Sequence, residues 1–218
     1  MLTHTILSDD EAKTLYQTDD SAHDFDHVLR VTKMAIHLAQ LEGADQSIVR
    51  LAALLHDLPV PASFATAFTS ERQSHHLAAA EYAGHLLAER GLGTKEVANV
   101  VHCIQAHRFR DRTIQPQTLE AHCLYDADKL DAIGAIGVAR VFAFAGAHGN
   151  RLWTTPWPEI SAPPIQAVDY TPGHEFVFKL NRLLETLYTA SARKIGQERH
   201  AFMIRFFTQL DLEIGALP

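Results

Sequence analysis

Apolar side chains recur at helical spacing near the start of the chain. Within residues 24–41 they fall three or four positions apart, at Val28, Val31, Ala35 and Leu38. This period predicts an amphipathic helix, and Gly43 is a typical stop signal just beyond it. A second, very apolar helix is predicted over residues 45–56. Pro59 and Pro61 end it, because proline has no backbone N–H to donate.

Three more predicted helices follow. They cover residues 74–90, residues 94–106, and a longer stretch from about 118 to 144 that can contain a break. The residues between them, 59–74 and 108–116, are typical of loops.

Residues 145–172 are rich in Gly, Pro and Trp and show no period, which predicts a long loop or flap. Two final helices are predicted over residues 173–194 and 197–214. No segment alternates convincingly between apolar and polar residues. The predicted class is therefore all-α, a helical bundle in one domain, with a core at about 21–145 followed by C-terminal helices.

Composition narrows the possible functions. The chain has 218 residues, enough for one domain, and 47% of them are hydrophobic. The net charge of -7 argues against a surface that binds polymeric nucleic acid, which needs clustered cations. A small anionic substrate is still allowed, because a bound metal can supply positive charge. No apolar run is long enough for a bilayer and no secretory signal is visible, so we expect no membrane partner and a cytoplasmic location.

The chain contains 14 histidines, the commonest metal-binding residue, and this directs attention to four positions. His56 and Asp57 directly follow five apolar residues, where an ionised carboxylate is costly unless it is paired or binds a metal. His27 lies in the first helix, and Asp128 is expected at the start of another apolar helix. Spacing alone leaves ordinary explanations open: an exposed histidine, a helix cap, an ion pair or a favourable charge at a helix N-terminus.

Three motifs resemble those of a known family. They are His23-Asp-Phe-Asp-His27-Val-Leu-Arg30-Val31, Leu54-Leu-His56-Asp57, and the long run from Asp126-Ala-Asp128-Lys-Leu-Asp131 to Phe142. Together they resemble the HD-domain metal-dependent phosphohydrolases, in particular the small stand-alone bacterial members of the YedJ and YpgQ type. The similarity extends over nearly the whole chain.

The resemblance implies an all-helical HD-domain fold with one divalent metal ion held by His27, His56, Asp57 and Asp128. It also implies hydrolysis of phosphate esters or anhydrides, often in nucleotides. Two imidazoles and two carboxylates suit Mn, Fe, Co, Ni or Zn, and Mg less well.

Other residues have expected roles around that metal. Arg30 and Lys129 are candidates to hold phosphate oxygens, although both could be solvated surface cations. Asp131 is a candidate to orient a ligand or water, or simply to form an ion pair. His107 is a candidate general acid toward the leaving oxygen. Water activation is left to Asp57, Asp131, a histidine or the metal, since Val60 stands where some nucleotidases of this superfamily carry an acid.

Several alternatives remain open. A second metal could use histidines of the third helix, His75, His76 and His85, although helix-surface histidines are the simpler explanation. The His-Cys pairs at residues 102–103 and 122–123 lack the spacing of a zinc site and predict structural thiols. Trp153 and Trp157 are read as packed anchors of the loop, with a base-stacking lid as the alternative.

The leading hypothesis is a nucleotidase or nucleotide pyrophosphohydrolase that uses metal-activated water on a small phosphorylated substrate. A phosphodiesterase with two metals is the second hypothesis, and a catalytically weak nucleotide or metal sensor is the third. A homodimer is left open.

Overall fold

The computed structural model describes residues 6–16, 25–61, 64, 75–109 and 113–215 of the protein. Within these ranges the regular structure is entirely helical and contains no strand. The α-helices are α1 (Asp9–Leu15), α2 (Phe25–Glu42), α3 (Gln46–Leu55), α4 (His75–Glu89), α5 (Thr94–Ala106), α6 (Leu119–Asp131), α7 (Gly134–Ala147), α8 (Pro172–Phe178) and α9 (Ala190–Gly215). Short 3-10 helices cover Trp157–Glu159, Ala167–Asp169 and Leu180–Thr186.

Contacts group the chain into two compact units, Met1–Asp128 and Lys129–Pro218. In the first unit α3 packs against α1, α2, α4 and α5. In the second unit α7 packs against α8 and α9, and the 3-10 helix Leu180–Thr186 packs against both α8 and α9. The predicted limits of the metal-binding core, at about residues 21 and 145, stay a prediction.

Burial in α2 and α3 follows the predicted pattern. In α2 the positions predicted to face the core are all buried: Val28, Val31, Ala35 and Leu38. In α3 seven of the ten residues are buried, which explains why its sequence is almost continuously apolar. The Asp45 side chain begins α3 by accepting hydrogen bonds from the backbone N–H groups of Ser47 and Ile48.

Helix α1 was not expected from the hydrophobic pattern. Ser8 begins it with a capping box, in which the Ser8 hydroxyl accepts from the Glu11 N–H and the Glu11 carboxylate accepts from the Ser8 N–H. Of its residues only Ala12 is buried, so the helix has almost no apolar period to detect.

The predicted break in the long stretch after residue 118 is confirmed. Helix α6 ends at Asp131 and α7 begins at Gly134, which has a φ of 78°. Only glycine adopts this left-handed conformation readily. Within the described residues no single helix is both long and apolar enough to span a membrane, and α6 with α7 meets that test only as a pair bent by 60°.

The predicted boundary between the last two helices is wrong. Helix α8 already ends at Phe178, and α9 runs without interruption from Ala190 to Gly215. Gly196 falls between the two predicted ranges but lies inside α9. A Cβ there would stand 2.7 Å from Leu187 Cδ1, so the glycine permits a close approach and does not end a helix.

The predicted loop begins only after α7 ends at Ala147, and it holds two of the 3-10 helices. Three hydrogen bonds tie it to α9, one of them from the Trp157 indole to Thr208 Oγ1 at 3.3 Å. The Trp153 indole donates to Asp211 Oδ1 at 2.8 Å, and the Trp157 N–H donates to Asp211 Oδ2 at 2.9 Å. The Trp157 ring packs edge-on against Phe176 with 5.3 Å between centroids. These contacts support the interpretation of both tryptophans as anchors of the loop.

Candidate metal centre

Five side chains from four helical segments meet in the first unit. His27 comes from α2, His56 and Asp57 follow the last residue of α3, and His107 follows the last residue of α5. Asp128 lies in the last turn of α6, so the prediction that it begins a helix is wrong. Three of these positions are at or just beyond helix ends, where the chain can turn successive side chains toward one point. The structure therefore brings together all four predicted metal ligands and the predicted general acid.

Asp57 is at the centre of the group. Its Oδ2 lies 3.4 Å from His56 Nε2 and 3.8 Å from His27 Nε2, and its Oδ1 lies 3.6 Å from His107 Nε2. Asp128 Oδ1 lies 3.5 Å from His27 Nε2. These separations exceed ordinary hydrogen-bond lengths. Ligands that each stand about 2 Å from a common metal ion would be spaced in roughly this way.

Backbone carbonyls orient two of the imidazoles. His56 Nδ1 lies 2.8 Å from the carbonyl oxygen of Ala53, and His107 Nδ1 lies 2.6 Å from that of Ile104. A carbonyl can only accept, so Nδ1 carries the proton in each ring and Nε2 presents a lone pair when the ring is neutral. Both Nε2 atoms face Asp57. This is the tautomer that a metal-binding histidine requires.

The buried Nε2 of His56 lacks a hydrogen-bond partner among the described residues. Leaving a buried polar atom unsatisfied is costly, so an orphaned imidazole nitrogen calls for an explanation. Metal binding supplies one, because the lone pair is then used. The donor set and this orphaned atom therefore fit a divalent cation.

Burial and charge act on the same pair of residues. Burial lowers the pKa of His56, outweighing the opposite effect of the Asp57 charge, and this favours the neutral ring. Desolvation alone would raise the pKa of Asp57, but His56 and His107 outweigh it and hold that pKa well below its ordinary value. Asp57 is therefore an anion beside a neutral imidazole, the protonation states that metal binding needs.

The cluster is open to solvent on one side. The Asp57 side chain is 40% exposed, whereas those of His56 and His107 are 0% and 7% exposed. Asp57 is therefore the most exposed of the five clustered side chains.

Three of the predicted ligands form the tightest group. One ligand atom each from His27, His56 and Asp57 lie within 4.8 Å of one another, which is the only such group among the described residues. Asp128 touches His27 but lies outside that group.

The alternative of a second metal on the histidines of the third predicted helix is tested only in part, because the His75 side chain lies outside the described part. His76 Nδ1 accepts from Arg108 at 3.4 Å, and the His85 ring packs 5.5 Å from that of Phe64.

The other residues predicted to act around the metal differ in burial and in their contacts. Arg30 is half-buried on α2, three residues after His27. Lys129 is only 6% exposed. Asp131 is buried and its Oδ2 pairs with Arg140 Nη1 at 2.9 Å, which supports the ion-pair alternative for this residue. The phosphate-binding roles of Arg30 and Lys129, and a catalytic role for Asp131, stay predictions. His23 and Asp24 of the first motif lie outside the described residues.

The two cysteines support the prediction of structural thiols. Cys103 and Cys123 are both buried and free, and burial raises the pKa of each thiol to about 12. A thiol with so high a pKa is a poor metal ligand near neutral pH.

Sequence analysis missed one residue beside the cluster. Tyr16, directly after α1, donates its hydroxyl to the carbonyl of Leu54 at 2.8 Å. Burial, reinforced by the Asp57 charge, raises the pKa of Tyr16 well above its ordinary value, so the hydroxyl keeps its proton. The signal that could have found α1 is the Ser8 to Glu11 capping box. Nothing local in the sequence points to a contact 38 residues away.

Comparison with known proteins agrees with the metal-site geometry described above. Residues 24–133 match the HD domain family, a span of half the chain that contains all five clustered side chains. The chain belongs to the HD-domain family. Among relatives of this HD-domain protein, YpgQ of Bacillus subtilis is 34% identical over 211 residues, covering 94% of this chain and 91% of YpgQ.

Solved structures agree with that assignment. The crystal structure of Bacillus subtilis YpgQ superposes with a TM-score of 0.70 at 33% identity, covering 94% of this chain and 95% of that one. A crystal structure of YpgQ in complex with ADP gives 0.68 at 31% identity, covering 94% of each chain. An HD-superfamily hydrolase from Bacillus thuringiensis gives 0.70 at 31% identity, covering 97% of this chain and 95% of the other. The predicted all-α HD-domain fold is confirmed, and the protein is a metal-dependent phosphohydrolase of the HD superfamily.

Proposed function

We propose that this HD-domain protein hydrolyses phosphate ester or anhydride bonds in nucleotides, using one divalent ion held by His27, His56, Asp57 and Asp128. The observation that carries the proposal is the orphaned Nε2 of buried His56, which faces the same oxygen of ionised Asp57 as His27 Nε2 does. The ADP complex of YpgQ supports a nucleotide as the substrate class.

The metal and the side chains have separate tasks in this proposal. When bound, a divalent ion supplies Lewis-acid polarisation of phosphate oxygens and lowers the pKa of water. His27 and His56 hold the ion through neutral imidazoles, and exposed Asp57 marks the side from which the phosphate approaches. In the proposal His107 passes a proton at Nε2, because its Nδ1 donates to the Ile104 carbonyl.

The cationic residues complete the proposed site. Arg30, one helical turn after His27 on α2, can donate paired hydrogen bonds to phosphate oxygens. Lys129 is next in sequence to the ligand Asp128 and can add a point charge. Both assignments rest on the chemistry of the two side chains and are part of the proposal.

A nucleotide panel tests the proposal. Purified protein is assayed for phosphate and pyrophosphate release from nucleoside mono-, di- and triphosphates with Mn²⁺, Co²⁺, Ni²⁺ or Mg²⁺. Asp57→Ala should abolish turnover and the matched variant His148→Ala should not, because His148 is exposed and lies in the second unit. Turnover that survives in Asp57→Ala would refute the assignment of the site.

Metal stoichiometry separates the proposal from its alternatives. One ion per chain is expected, because the described residues contain one group of suitable ligands. Two ions per chain would favour the phosphodiesterase hypothesis, and tight nucleotide binding without turnover would favour the sensor hypothesis.

A further inference from the structure

The C-terminal end of α3 is held by three different donors. A helix end leaves its last carbonyl groups without intrahelical partners. At the end of α3 the carbonyl of Ala53 is bonded by the His56 imidazole at 2.8 Å, and that of Leu55 by the Leu58 N–H at 3.2 Å. The carbonyl between them, that of Leu54, accepts the Tyr16 hydroxyl at 2.8 Å. The residue that supplies the third donor is therefore 38 positions away in sequence.

Tyr16 also touches the start of α2. Its ring packs against that of Phe25 with 5.3 Å between centroids, and Phe25 lies two residues before His27. Tyr16 is only 6% exposed. One buried side chain thus contacts both segments that carry the tightest group of metal ligands.

Two arginines fix α1, and hence Tyr16, in place. Arg50 of α3 donates to the Leu7 carbonyl at 2.8 Å and pairs with Asp9. Arg90, just after α4, donates to the Ile6 carbonyl at 3.0 Å and pairs with Glu11 at 3.4 Å. The capping box at Ser8 stabilises the same turn. These contacts restrain both the start of α1 and the residues before it.

We propose that α1 is a brace for the metal centre and that Tyr16 is its positioning residue, holding the Leu54 carbonyl so that His56 and Asp57 keep their orientation. The brace lies outside the span that matches the HD domain, which begins at residue 24. The inference rests on the proposed metal site, but the contact itself can be tested without metal.

The first arm of the experiment uses metal-free protein. Tyr16→Phe removes the hydroxyl and keeps the ring, so folding should be preserved. The Leu58 N–H donates to the Leu55 carbonyl, so its hydrogen exchange, measured by NMR, reports on the end of α3. Its exchange should become about fivefold faster, as expected when the neighbouring Leu54 carbonyl loses one hydrogen bond. Tyr170→Phe is the matched control, because Tyr170 donates to Glu175 at 2.9 Å in the second unit. An unchanged Leu58 exchange rate in Tyr16→Phe would overturn the brace.

The second arm measures Mn²⁺ affinity by calorimetry. Tyr16→Phe should bind Mn²⁺ roughly tenfold more weakly than wild type, as is typical when a group that orients metal ligands is lost. Tyr170→Phe should bind like wild type. Faster Leu58 exchange with unchanged Mn²⁺ affinity would reduce Tyr16 to a structural role and overturn the positioning claim.

The wild-type protein separates the two proposals. If the wild-type protein binds neither Mn²⁺ nor any other divalent ion of the panel, the proposed function fails and the positioning role fails with it. If wild type binds Mn²⁺ and only the Tyr16→Phe result departs from expectation, the proposed function stands and the brace alone is rejected.

Discussion

Single residues decide what the cluster can do. His56 and His107 are oriented alike, each through Nδ1 to a carbonyl three residues earlier, yet they differ in their surroundings. His56 belongs to the group of ligand atoms within 4.8 Å of one another, and His107 does not. Two histidines with the same backbone contact are therefore expected to have different tasks, one on the metal and one on a proton.

His107→Gln tests this division at the residue scale. We expect turnover to fall by about 10²- to 10⁴-fold, the usual effect of losing a general acid. Mn²⁺ affinity and stoichiometry should stay close to those of wild type, because the three central ligands are untouched. Steady-state kinetics and calorimetry on the same preparation give both quantities.

A histidine within α5, the helix that His107 directly follows, provides the control. His102 of α5 accepts the N–H of Gln117 at 3.0 Å, and it is not part of the cluster, so His102→Gln should leave turnover within a few-fold of wild type. Loss of Mn²⁺ binding in His107→Gln would show that His107 is a ligand after all.

At the scale of elements, Gly196 of α9 shows that a glycine in the sequence can mark either the end of a helix or a site of close packing inside one. Gly196 is buried inside this helix, against side chains of the segment that precedes it. An added Cβ would approach Leu187 Cδ1 to 2.7 Å and Leu184 Cδ1 to 3.0 Å. Leu187 is 1% exposed and has little room to move. The glycine therefore serves packing within the second unit.

Gly196→Ala should destabilise the protein by roughly 1–3 kcal/mol, because overpacking outweighs the better helix propensity of alanine. Gly146→Ala is the matched control in α7, where nothing lies within 4 Å of an added Cβ. There the free energy of unfolding should rise, by up to about 1 kcal/mol. Urea denaturation of both variants gives the comparison, and equal stabilisation by the two would contradict the packing role of Gly196.

The elements that sequence could predict are those with a local pattern. Apolar spacing is visible in α2 and α3, and the loop ahead of α8 is marked by its glycines and prolines. Helix α1 buries only Ala12, so it has no such pattern. The role of Gly196 depends on Leu187, which approaches it through tertiary packing, and spacing along the chain cannot show that.

The same limit applies to the site. The motifs and the family resemblance predicted His27, His56, Asp57 and Asp128, and the structure brings them together. Asp131 pairs with Arg140, in the next helix, and the protonated nitrogens of the His56 and His107 imidazoles depend on backbone carbonyls at helix ends. Such contacts follow from the geometry of the fold and have no signature in residue types.

At the scale of the whole molecule, the five clustered side chains all belong to the first of two compact units. They come from residues between 27 and 128, so the helices that carry them are separated widely along the chain. An ion held by them would link these helices in the folded state and would have no such site in the unfolded chain. Binding should therefore increase the stability of the fold.

Mn²⁺ at about 100 times its Kd should stabilise the protein by about 2.7 kcal/mol. For a chain of this length that corresponds to a rise in Tm of roughly 5–10 °C. Asp57→Ala should abolish the shift, and a chelator should reverse it in wild type. Differential scanning calorimetry measures both. A Tm rise of the same size in Asp57→Ala would mean that the ion binds elsewhere.

Helix α1 lies ahead of the HD-domain match, and this affects which fragment of the chain would keep a working metal site. A fragment that starts at residue 24 would keep every ligand of the metal and every residue that the family match includes. It would lack Tyr16, so the Leu54 carbonyl would accept a hydrogen bond from water in place of the buried Tyr16 hydroxyl. The start of the HD-domain match, at residue 24, and the start of the proposed brace then fall at different places in the chain. The shortest fragment that holds the ion as tightly as the whole chain would then begin ahead of α1.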